Sequence, residues 1–99
     1  MRLGLIAHAR AGDKGDTSIL FLAPFDQYDF ELIRKKLTPE TVARHFGSEA
    51  ARVTIIALDK LNAFTIVIQE QLGGGVTRTH RVDPHGKTLS SHLLDLELT

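Results

Sequence analysis

An α+β fold, a two-layer sandwich in which helices pack on a mostly antiparallel sheet, is predicted by three features of this 99-residue sequence. Five stretches carry strand patterning, three carry helical spacing, and the two kinds are unevenly mixed rather than strictly alternating. One domain over residues 1–99 is expected, because a chain of this length buries roughly two thirds of the surface its unfolded form exposes, around one core.

The first strand is predicted from Arg2 to Arg10, with Leu3, Leu5 and Ala7 on one face and Gly4, Ile6, His8 and Arg10 on the other. Ser18 to Ala23 is apolar at every position but its first, the pattern of a central strand covered on both sides, and Pro24 stops it. Residues 26–37 form an amphipathic helix with Phe30, Ile33 and Leu37 at helical spacing, Asp26 as N-cap and basic Arg34, Lys35 and Lys36 near the C-terminal end. Thr38-Pro39-Glu40 opens a second helix with a cap, a first-turn proline and an early acid; Gly47 ends it, and Val42 and Phe46 are its apolar stripe. The β-branched run Val53 to Ile56 marks a buried strand over Arg52 to Leu58. A short loop, Asp59 to Asn62, joins it to an antiparallel partner over Ala63 to Glu70 with Phe64, Ile66 and Ile68 on one face. Beyond Gly73, Gly74 and Gly75, the polar stretch Val76 to Val82 reads as an edge strand, and Asp83-Pro84-His85-Gly86 as a turn. Thr88 caps a last helix carrying Leu89, Leu93 and Leu96, after which Glu97-Leu98-Thr99 either frays or adds a short strand.

Twelve basic and twelve acidic residues cancel, so the overall balance steers the chain toward neither nucleic acid nor an anionic membrane. No basic-aromatic interleaving supports RNA or single-stranded DNA binding. Without cysteine there are no disulfides or thiolate metal sites. The N-terminal apolar run is broken by His8 and Arg10 well short of signal-peptide length, and no stretch approaches a membrane span, so a cytoplasmic protein is expected.

The polar chemistry of the N-terminal half is concentrated between Ala7 and Thr17. His8, Arg10, Gly12, Asp13, Lys14, Gly15, Asp16 and Thr17 crowd a glycine-bearing loop between two apolar strands. A plain connection would use the aspartates to close turns and leave Lys14 in solvent. The density of acids, bases and a histidine favours a small-molecule site, with His8, Asp13 and Asp16 as candidate acid–base groups and Arg10 as an anion-binding cation beside His8. Asp13 and Asp16 lack the spaced ligands and distal glutamate of a calcium loop, so they read as turn-forming and no metal is assigned. The histidines show no zinc spacing, and most of them read as ordinary surface residues. Gly73 to Gly75 can form an amide nest for a phosphate or carboxylate, completed by Thr77 and Arg78. Convergence of residues 12–17 and 73–78 would make one shared recess. Walker loops, dinucleotide fingerprints and serine elbows are lacking, and nothing in the sequence requires a cofactor.

Three separated blocks, Ala7 to Ser18, Leu61-Asn62-Ala63 with Leu72-Gly73-Gly74-Gly75-Val76-Thr77-Arg78, and Asp83 to Leu94, resemble in order the C-terminal domain of acyclic terpene utilisation (AtuA-like) proteins. The resemblance covers nearly the whole chain. It implies a ferredoxin-like fold and a role beside a much larger AtuA-like domain in bacterial breakdown of acyclic terpenes or related branched acyl-CoA compounds. It also adds Asn62 to the ligand-binding candidates, and implies a separate large AtuA-like subunit as partner, since that domain is missing from this sequence. Two other readings stay open: a self-sufficient homo-oligomeric hydratase, lyase or isomerase acting on acyl-CoA, and a non-catalytic dimerisation module pairing through Val76 to Val82.

Overall fold

The computed structural model describes residues 1–14, 17–69 and 87–98. In chain order it contains β1 (Ala7–Lys14), β2 (Thr17–Pro24), α1 (Tyr28–Lys36), α2 (Pro39–Phe46), β3 (Val53–Leu58), β4 (Ala63–Ile68) and α3 (Lys87–Leu94), with short 3-10 turns at Leu3–Leu5, Ala50–Arg52 and Asp59–Leu61. The four strands form one antiparallel sheet in the order β1-β2-β4-β3. The predicted strand Val76 to Val82 and the turn Asp83 to Gly86 lie outside the described residues.

All three helices pack on one face of this sheet. Their buried residues, Phe30 and Ile33 of α1, Val42, Ala43 and Phe46 of α2, and Leu89 and Leu93 of α3, share one cluster with Leu20 and Leu22 of β2 and Phe64, Ile66 and Ile68 of β4. The two-layer architecture is therefore as predicted. β2 is central, between β1 and β4, but it is covered from one side only: Ile19 and Phe21 on its outer face are each 37% exposed. That corrects the expectation of two-sided cover.

Local chemistry explains the helix ends. Thr38 accepts a hydrogen bond from the Thr41 backbone N–H at 3.1 Å, Pro39 occupies the first turn, and Gly47 closes α2 at φ 70°, a left-handed conformation that glycine adopts without steric penalty. Asp26 lies one residue before the formal N-cap, Gln27, yet its carboxylate accepts the Tyr28 N–H at 2.9 Å. Phe30 stacks on Phe64 of β4, with centroids 4.7 Å apart, and the Arg34 guanidinium lies 4.8 Å over the Phe30 ring while pairing with Asp59. This locks α1 to the sheet.

Three predicted elements need correction. The alternation from Arg2 is interrupted, because Leu3–Leu5 coils into a 3-10 turn that buries Leu3 and exposes Leu5 before β1 begins at Ala7. Gly4 permits this by lying against the end of α3, where an added Cβ would sit 3.1 Å from the Leu94 carbonyl oxygen. β1 then runs on through Gly12 and Asp13 to Lys14, paired with Thr17, so most of the expected glycine loop is strand. Finally, β3 lies at the end of the strand order, and Val53 is its one buried residue; the β-branched run reports extended backbone, not a central place in the sheet. Near the C-terminus Glu97 bridges Arg2, and Leu98 donates its N–H to the Met1 carbonyl at 2.8 Å, so residues 97 and 98 add a short pairing rather than fray.

Candidate functional site

Alternation along β1 sorts the candidate residues into two sets. Ala7, Ala9 and Ala11 line the helix side, whereas His8, Arg10 and Gly12 lie on the outer face, all three exposed. His8 stacks on Phe25, with centroids 5.7 Å apart and planes 21° from parallel. Across the sheet Arg10 is opposite Phe21, and Gly12 opposite Ile19. An added Cβ at Gly12 would meet nothing within 4 Å among the described residues, so their packing does not demand a glycine there. Arg10 makes no ion pair among the described residues.

The structure thus brings His8, Arg10 and Gly12 together. Asp13 is opposite Ser18 in the β1–β2 register and stands five residues along the strand from His8, roughly 17 Å at the usual strand rise. Lys14 and Thr17 face each other as the last described pair of the β1–β2 hairpin. Asn62 sits apart from them, after the turn between β3 and β4, in a left-handed conformation at φ 48° that asparagine tolerates better than most residues. Gly15, Asp16, Gly73, Gly74, Gly75, Thr77 and Arg78 lie outside the described residues, and with them the second half of the expected recess. Among the described residues no three or more histidine, cysteine or acidic side chains gather to hold a metal ion.

Two features carry no local signal in the sequence. Ser18 is buried on the helix side of β2, and its hydroxyl has no hydrogen-bond partner among the described residues. The second is a histidine pair, which corrects the reading of these residues as surface groups. His45 of α2 and His92 of α3 are half-buried and stack at 4.2 Å, with Phe46 edge-on to both. The His45 Nε2–H donates to the His92 carbonyl at 2.5 Å and the His92 Nε2–H donates to the His45 carbonyl at 3.1 Å. Because a carbonyl only accepts, both rings carry their proton on Nε2, and each satisfies a carbonyl in the last turn of the other helix.

Burial, reinforced by the neighbouring His92, lowers the His45 pKa from its ordinary 6.5; the hydrogen bond to the His92 carbonyl and the charge of Asp95 oppose this without cancelling it. A neutral imidazole is therefore favoured by folding, and the unfolded chain takes up the proton more readily. Stability from this group is fully present above about pH 6.5 and is lost as pH falls through the lower folded-state value. Urea unfolding should accordingly give a higher midpoint at pH 7.5 than at pH 5.5, with a smaller difference in His45→Gln, whose amide retains a donor but does not titrate. An unchanged difference in that variant would assign the pH dependence to other groups.

The family model of the AtuA ferredoxin-like domain matches residues 1–99. The chain belongs to that family. No curated protein and no solved structure matches it. For this AtuA ferredoxin-like domain, the four-stranded antiparallel sheet with helices on one face is the architecture that the family description leads one to expect. Among its described residues no helix is long and apolar enough to cross a membrane.

Proposed function

We propose that this AtuA ferredoxin-like domain is an accessory subunit or domain of an AtuA-like system in bacterial catabolism of acyclic terpenes or related branched acyl-CoA compounds, where it contributes a polar site for an anionic ligand. The observation that carries the reading is the family match over residues 1–99. The N-terminal hairpin supports its chemical half. Arg10 offers an exposed guanidinium with no ion pair among the described residues, and the neighbouring outer-face position, Gly12, carries no side chain to cover it. An exposed guanidinium without a counter-charge suits a carboxylate or phosphate. The same geometry favours binding over proton transfer, because His8 is open to solvent, packs on Phe25 and has no hydrogen bond to a described side chain.

The test is reconstitution. Mixed with a protein carrying the large AtuA-like domain, the chain is expected to elute from gel filtration as a stoichiometric complex at micromolar concentration. Separate elution of the two proteins, each folded by circular dichroism, would overturn the accessory role.

A further inference from the structure

β2 is as apolar on the face turned away from the helices as on the face turned toward them. Its inward residues, Leu20 and Leu22, are fully buried, but its outward residues are Ile19 and Phe21, each more than one third exposed. The register extends this surface across three strands. Ile19 lies opposite Val67 and Phe21 opposite Thr65 on β4; beyond them on β3 lie Thr54 and Ile56, the latter 47% exposed. An antiparallel sheet with one solvated face ordinarily places polar side chains there. No described helix packs on this side.

We infer that the outer face of the sheet is the seat of a different polypeptide, whose contact surface is apolar at its centre and carries a carboxylate opposite Arg10. The margin decides between occupants. Along β1 the face is edged by Arg10 and His8, and no outward position of the four strands, from His8 on β1 to Leu58 on β3, is an aspartate or glutamate. A second copy stacked on the first would bring the same cations and no carboxylate, so Arg10 would meet like charge and no counter-charge, a juxtaposition that disfavours association. A partner that supplies an acid there converts the same guanidinium into an anchor beside Phe21, and arginine and aromatic side chains are enriched at interfaces. This inference rests on the reading of the chain as part of a two-protein system and adds the surface through which the two meet.

The experiment uses the full chain, the protein carrying the large AtuA-like domain as probe, and sedimentation velocity with a binding titration. Phe21→Glu and Arg10→Glu should each weaken the complex at least tenfold. Ile56→Glu, placed on β3 at the end of the described strand order where a charge is easily accommodated, should do the same if Phe21→Glu fails to fold. Lys35→Glu, on the exposed side of the helix layer, should leave affinity unchanged. A complex that forms with wild-type affinity in the folded face variants would overturn the inference and leave the accessory role standing. Homodimerisation of the chain alone, abolished by Phe21→Glu, would assign the face to a second copy and likewise overturn it. No complex with the wild-type chain would remove both readings together.

Discussion

Phe64→Ala is expected to lower the unfolding free energy by about 3–5 kcal/mol. Phe64, the second residue of β4, is fully buried, and its ring stacks on Phe30, the residue by which α1 is seated on the sheet. Truncation removes the transfer free energy of the ring, leaves a cavity between two layers that relax only in part, and unpairs Phe30. Because small domains are stable by only about 5–15 kcal/mol in total, the loss is a large share of what holds the fold. Guanidinium denaturation followed by far-ultraviolet circular dichroism measures it. A loss under about 1 kcal/mol would mean that α1 does not depend on this contact.

Phe46→Ala should have an effect of similar size, about 3–5 kcal/mol, with a second consequence that Phe64→Ala lacks. Phe46 ends α2, is fully buried, and turns its ring edge toward both His45, at 5.4 Å, and His92, at 4.9 Å. Each such edge contact is worth about 0.5–1.5 kcal/mol beyond area burial. Removing the ring admits water beside His45, and desolvation is the largest cause holding that imidazole neutral. Its titration midpoint should therefore rise toward 6.5, read from the His45 ring proton shifts by NMR, and the pH dependence of unfolding should shrink along with the overall stability. Destabilisation with an unchanged His45 titration would show that the ring is packing material only.

These two rings also mark where reading along the chain succeeds and where it stops. The alternation of Phe64, Ile66 and Ile68 and the Thr38-Pro39 start and Gly47 stop of α2 are local signals, and each specifies its element without reference to the rest of the molecule. The 3-10 turn at Leu3–Leu5 is not local. It exists because Gly4 must fit against Leu94, ninety residues away, and no periodicity near Gly4 announces that. The hairpin misled for a different reason, since glycine and aspartate lower strand propensity, yet pairing with β2 overrides it as far as Lys14. The placement of His8 and Arg10 side by side follows from strand parity alone. The distance of Asp13 from His8 follows from the strand rise once β1 is known to continue. The His45–His92 pair, joined across 47 positions, has no signature in one sequence.

The pairing of the chain's two ends reaches beyond stability. Leu3 donates to the Leu96 carbonyl and Leu98 to the Met1 carbonyl, both at 2.8 Å, so residues 1 and 98 occupy one corner of the molecule. Any polypeptide fused to either end leaves from that corner in nearly the same direction. Reversing the order of two joined domains would therefore alter their relative placement little.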